Sequence, residues 1–253
     1  MTERFAGKVA LVTGGSGIGR GTALVFAREG ATVVVAGRSP EPLAQTVKLI
    51  EASRSRASAS AITVDVTRAD DVDRLVATAV ARHGGLHVAF NNAGTLGAPG
   101  PLAELDEAAW AETLATNLTS VYLSMKYEIA HMRAGGGAIV NMASSIGAHM
   151  TVPGLGAYAA SKAGVSVLTR AAARENIADG IRINAISPGP ADTPMSHLPS
   201  ETNADRGARL EAAIPIGRVG GLDEIAAAVL WLASDEAGFV VGHDLVIDGG
   251  AVA

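Results

Sequence analysis

Apolar runs of strand length alternate along this chain with amphipathic segments of helix length, and few folds accept that rhythm. The runs expected as strands are Lys8–Thr13, Ala31–Ala36, Ala61–Asp65, His87–Asn91, Ala138–Ala143, Ile181–Ser187 and Asp244–Ile247. Most are continuously apolar rather than alternating, as strands are when both faces of their sheet are covered. Between them, a helical period runs over about Ile18–Glu29, Pro40–Ala52, Ala69–His83, Glu107–Met132, Ala157–Ala178 and Leu222–Ser234. Strand–helix alternation demands right-handed crossovers, which build a doubly wound parallel α/β sheet with helices on both faces. The whole chain, 1–253, reads as one domain, and its 48% hydrophobic content supplies a core for it. One stretch, Asp192–Gly221, breaks the rhythm with small, polar and proline residues around a possible helix, Asn203–Ala213. Insertions there lie beyond the carboxyl ends of the strands, so it reads as a substrate lid, with a plain surface excursion as the alternative.

The bulk numbers exclude several classes. A net charge of -5 without a basic run argues against nucleic acid as a partner. No apolar stretch reaches the ~18 residues of a membrane span, and the N-terminal run ends in glycines without a secretory cleavage pattern. The absence of cysteine excludes disulfides and thiolate chemistry, and a cytoplasmic location is expected. His83, His87, His131 and His243 lack ligand spacing, so no metal is expected. Asp70, Asp71 and Asp73 suit a helix start better than a cation.

Chemistry enters at Thr13-Gly14-Gly15-Ser16-Gly17-Ile18-Gly19, which leads from the first strand into a helix. Glycines allow a tight turn and close approach to a pyrophosphate, and the helix N-terminus offers free N–H donors. The second strand ends at Gly37-Arg38, without the acidic residue that binds the ribose hydroxyls of NAD. Arg38 can pair with a 2′-phosphate, which favours NADP(H) and leaves NAD(H) possible; a solvated turn residue is the plain alternative. Tyr158 and Lys162 stand at i and i+4, on one face of a helix. A phenol ionises near pH ~10, and a nearby ammonium lowers that value, so the pair suits general acid/base work at a carbonyl. Ser144, beyond the fifth strand, can donate to such a carbonyl, or be a turn residue. Asn117 is a poor helix former inside a helical run, which suggests a functional hydrogen bond or a kink, unless it lies on an exposed face.

Together, Thr13–Gly19, Asn91-Asn92-Ala93-Gly94, Asn117, Ser144, Tyr158-x-x-x-Lys162 and Pro188-Gly189 resemble the short-chain dehydrogenase/reductase family over essentially the whole chain. The resemblance implies a seven-stranded Rossmann-like sheet, a homotetramer or dimer, and interconversion of a ketone or aldehyde with an alcohol by hydride transfer. It assigns Tyr158 as acid/base, Lys162 to the nicotinamide ribose and to lowering the pKa of Tyr158, Ser144 to the carbonyl, and Asn117 to a water in a proton relay. Gly14, Ser16, Gly17, Ile18 and Gly19 would hold the phosphates and Asp65-Val66 the adenine. Asn92, Ala93 and Gly94 would pack beside the cofactor, with Pro188, Gly189 and Thr193 at its nicotinamide end. Asp248-Gly249-Gly250 resembles a segment that packs at a subunit interface.

Two departures stand out. The family's motif has three residues between Thr-Gly and Gly-x-Gly, whereas only Gly15 and Ser16 separate Gly14 from Gly17. The one-residue deficit supports a rival reading, a non-catalytic dinucleotide sensor or scaffold. Second, the family's serine lies thirteen residues before the tyrosine, at Ser145, whereas counting along the strand gives Ser144. Because a one-residue slip reverses a side chain's face, the strand count is preferred. Substrate contacts are expected from His149, Leu155 and Met195 besides Ser144 and Tyr158, with Met150, His197 and Leu198 as further candidates.

Overall fold

A computed structural model describes residues 3–53, 57–196 and 201–253. Seven strands form one parallel sheet in the order β3-β2-β1-β4-β5-β6-β7. They are β1 (Val9–Thr13), β2 (Thr32–Gly37), β3 (Ala59–Thr63), β4 (Val88–Asn91), β5 (Gly137–Met142), β6 (Ile181–Pro188) and β7 (Asp244–Ile247). Helices α1 (Gly17–Arg28), α2 (Pro40–Ala52) and α8 (Leu222–Ala233) supply one layer; α3 (Ala69–His83), α5 (Ser120–Met132) and α6 (Gly156–Asn176) supply the other.

The period of two explains the continuous apolar runs. Leu11, Val34, Ile139 and Ile183 face the core under α3, α5 and α6, while Ala10, Val12, Val35, Val140 and Ile186 face the opposite core, where Phe26 of α1 packs edge-on to Phe5. Each large side chain buried this way contributes roughly 1.5–3 kcal/mol. Because β1 lies between β2 and β4, the strand order reverses at its carboxyl end, and a crevice opens there.

Two expectations need correction. The third strand is Ala59–Thr63 rather than Ala61–Asp65: it is an edge strand with half-exposed residues, and the buried Val64 and Val66 that drew the assignment follow it. The expected helix Glu107–Met132 is broken into α4 (Glu107–Leu114), a π-turn at Ala115–Thr119, and α5. Other ends shift by a residue or two, as helix and strand termini do. Within the 192–221 stretch, α7 (Asn203–Ala213) forms as expected, started by the Thr202 hydroxyl, which accepts from the Asp205 N–H. Among the described residues, no helix is long and apolar enough to cross a membrane.

Candidate active site

The glycine loop turns at the carboxyl end of β1. Gly14 has φ +95°, and a Cβ on it would lie 2.5 Å from Asn92 Nδ2; one on Gly19 would lie 2.1 Å from Gly14 O. Both positions therefore require glycine. Asn92 holds the loop's base by donating from Nδ2 to Thr13 O at 2.9 Å, while Thr13 Oγ1 accepts from the N–H groups of Asn92 and Ala93. Helix α1 starts with Ser16 as an extended N-cap whose side chain makes no capping bond, and Ile18 packs on the core. The first-turn N–H groups thus remain without a side-chain acceptor, a donor set that fits a dinucleotide pyrophosphate.

The shortened loop lies against α2. A Cβ on Gly15 would lie 3.2 Å from the Leu43 backbone, and Gly15 O accepts from Thr46 Oγ1 at 3.0 Å. Thr46 Oγ1 in turn accepts from Arg20 Nε at 3.0 Å, which couples α1 to the same point. Sequence reasoning missed both residues, because Thr46 lies far along the chain and looks like helix filling.

Arg38 is exposed beyond β2. Asp65 lies nearby: its carboxyl is held below the usual range by the Thr67 N–H and hydroxyl and, further, by the Arg38 charge. Val66 is buried beside it. Gly17 meets Thr193, whose Cγ2 would stand 3.4 Å from an added Cβ. Gly189 donates to Ile247 O at 2.9 Å and packs against Asp248, while Pro188 O accepts from Ser145 N.

Four polar side chains converge beside this crevice. Tyr158 and Lys162 lie on the buried face of α6. Tyr158 lies beside the Ser144 hydroxyl, which accepts from Ile146 N at 3.2 Å. Lys162 Nζ donates to Met142 O at 2.8 Å. Asn117 sits in the π-turn, fully buried; its Oδ1 accepts from Thr95 N at 2.8 Å, and its Nδ2 donates to Thr95 O and Ser161 Oγ. The helix is thus interrupted by a π-turn at this residue, whose side chain bonds Thr95 and Ser161. A Cβ on Gly94 would stand 3.1 Å from Asn117 Oδ1 and 3.5 Å from Lys162 Nζ, so these three residues meet. An ammonium has three donors and Met142 O takes one, which suits binding of ribose hydroxyls.

Burial pushes the Tyr158 phenol up, and the Ser144 hydroxyl works against that rise. Burial also pushes the Lys162 ammonium down to about 8. The lowering of the phenol by Lys162, expected from sequence, is not what this geometry gives: Nζ lies 5.9 Å from the ring centroid, bound to Met142 O, and desolvation dominates.

The substrate candidates divide. Leu155 is half-buried just before α6. Met195 is exposed in the short turn Pro194–Ser196. His149 binds Asp244 through Nε2. His197 and Leu198 lie outside the described residues.

A family profile described as Enoyl-(Acyl carrier protein) reductase matches residues 12–252. The chain is 44% identical, over the full length of both proteins, to cis-4-hydroxycyclohexanecarboxylate dehydrogenase of Sinomonas cyclohexanicum. It is 41% identical to cyclohexanol dehydrogenase of Acinetobacter sp. (strain SE19), over 98% of this chain and 96% of that one. A crystal structure of a short-chain type dehydrogenase/reductase from Mycobacterium marinum superposes with a TM-score of 0.91 at 34% identity, over 98% of this chain and 97% of that one. With a glycine loop, a Tyr–Lys helix and a seven-stranded parallel sheet in these places, the chain belongs to the short-chain dehydrogenase/reductase family of oxidoreductases.

Proposed function

We propose that this oxidoreductase uses NADP(H) to interconvert a cyclohexanol-type secondary alcohol with its ketone, with Tyr158 as acid/base. One juxtaposition carries the reading: the hydroxyls of Ser144 and Tyr158 meet beside the crevice, with Lys162 and Asn117 behind them. A bound nicotinamide supplies or accepts the hydride at the carbinol carbon. In the reducing direction Ser144 donates a hydrogen bond to the carbonyl oxygen, and Tyr158 gives its phenolic proton to that oxygen as it becomes an alcohol. In the oxidising direction the phenolate takes the hydroxyl proton. Lys162 holds the ribose, and Asn117 fixes the turn that leads protons away. Arg38, exposed and near enough to the Thr67-bound Asp65 for its charge to act on that carboxylate, is proposed to read the 2′-phosphate. The ring substrate is suggested by the two relatives named for cyclohexane-ring alcohols.

The test is titration with NADPH and NADH by nicotinamide fluorescence, followed by reduction of cyclohexanone. Tighter NADPH binding, lost on Arg38→Ala, is expected. Tyr158→Phe and Ser144→Ala should each lower kcat by about 100-fold or more, within the range general acid/base catalysis supplies, while Ser145→Ala stays within about threefold. A large loss confined to Ser145→Ala would move the role to that serine. Failure to bind either nucleotide would favour the sensor reading, for which the shortened loop is the supporting feature.

The same proposal includes a cytoplasmic enzyme assembled as a homo-oligomer, with the 192–221 stretch as substrate lid. Phe239 is 103% exposed and lies beside the exposed Trp231 and Val241, next to the edge strand β7. Such a patch with an open strand edge suits association with a second copy.

A further inference from the structure

Asp244 opens β7 with its side chain only 7% exposed, and three segments converge on its carboxylate. Ser166 of α6, one turn beyond Lys162, donates to Oδ2 at 2.5 Å. Ser187, the residue before Pro188, donates to Oδ1 at 2.6 Å. His149 Nε2 reaches Oδ2 at 3.0 Å. An ionised carboxylate only accepts, so the His149 ring carries its proton on Nε2. The carboxylate stands between Ser166 and His149, which rules out the order needed to activate a serine as a nucleophile.

His149 lies in the loop joining Ser144 to Tyr158, and that loop is fastened at three points. Near its start, Gly147 lies on α6: a Cβ there would stand 2.9 Å from Ala163 N and 3.1 Å from Lys162 Cβ. Near its end, Gly154 O accepts from Gly100 N at 2.9 Å. Between them, Gly147 N bonds Met150 O and Met150 N bonds Ser145 O, a small turn with His149 at its tip. The His149–Asp244 bond is what ties that tip to the sheet.

We infer that Asp244 and His149 form a latch that sets the position of the 146–155 loop between the two hydroxyls meeting the substrate oxygen. They are positioning residues, and His149 acts on the substrate through the loop rather than by touching it. The inference rests on the reading of Ser144 and Tyr158 as that pair. The latch joins three of the segments that must agree: the loop after β5, helix α6, and the end of β6. Because the loop lines one side of the substrate space, its displacement should first weaken substrate binding.

The experiment compares His149→Leu and His149→Gln with the unchanged protein. Glutamine can donate to Asp244 from its amide; leucine cannot. Hydrogen exchange is followed over residues 146–155, and cyclohexanone reduction with NADPH is followed at steady state. In His149→Leu, exchange in that segment should speed up about tenfold while α6 and β6 keep their protection, a local opening. KM should rise about tenfold with kcat within about threefold, and His149→Gln should restore both, as expected when an interaction made equally in ground and transition states is lost. Unchanged exchange and KM in His149→Leu would overturn the latch. So would a general loss of protection with kinetic constants unmoved, which marks a merely structural contact. If the unchanged protein does not reduce cyclohexanone with NADPH, the functional reading fails on that substrate, and the exchange pattern still decides the latch.

Discussion

Glu128 of α5 is fully buried, and its Oε2 accepts from Asn91 Nδ2 at 3.0 Å. Among the described residues, Glu128 Oε1 and Asn91 Oδ1 have no hydrogen-bond partner. Burial pushes the carboxyl up to about 7 from an ordinary value of 4.5, with the Asn91 bond working the other way. Between those two values the folded protein holds a proton that the unfolded chain has released, so stability falls as pH rises from 4.5 to about 7 and is level above it. Glu128→Gln keeps an acceptor for Asn91 and removes the charge. It should stabilise the fold at pH 8 by up to about 3 kcal/mol and flatten the slope between pH 5 and 7. Urea unfolding of both proteins across that range checks it, and parallel pH slopes would refute a protonated Glu128. Sequence reading did not find this residue, since a glutamate inside a helix has no local sign of burial. For the serine, counting along β5 points to Ser144, where spacing to Tyr158 alone points to Ser145; the mutants above decide between them.

Among elements, the loop between β1 and α1 shows best what the chain reveals of itself and what it withholds. Its glycines and its deficit of one residue are plain in the sequence, and so is the start of a helix after it. The Thr46 hydroxyl and Arg20 that hold it are not, because they are brought there only by the packing of α1 and α2. Thr46→Val keeps the shape and removes the bond to Gly15 O. Leaving Arg20 Nε and Gly15 O unpaired should weaken NADPH binding about tenfold, in line with roughly 1–3 kcal/mol for an unsatisfied buried polar group. Calorimetric titration measures this, and an unchanged Kd would mean that the loop needs no such support. The π-turn between α4 and α5 was illegible for a different reason. Apolar residues keep their helical period across it, and only Asn117 marks the place. The edge strand β3 blurred because half-exposed residues carry a weak pattern, whereas the central strands, buried on both faces, were read to within a residue or two.

At the scale of the molecule, strand–helix alternation gave the parallel sheet and its two helical layers, and the seven apolar runs gave the number of strands, which the family resemblance also implies. Neither told which surface stays open. The exposed Phe239 beside Trp231, Val241 and the β7 edge can be judged only in three dimensions. If this patch joins two copies, Phe239→Glu should shift the mass seen by light scattering toward a smaller species without loss of helical signal. An unchanged mass would place the interface elsewhere. The strand order also bears on how the protein is made. The chain pairs β2 with β1, then β3 with β2, and returns to the other side of β1 only at Val88. At about 5–20 residues per second, a ribosome takes several seconds to travel from Thr13 to Val88. Throughout that interval the strand that leads into the glycine loop lacks its β4 partner, and an unpaired strand edge is open to association with other chains.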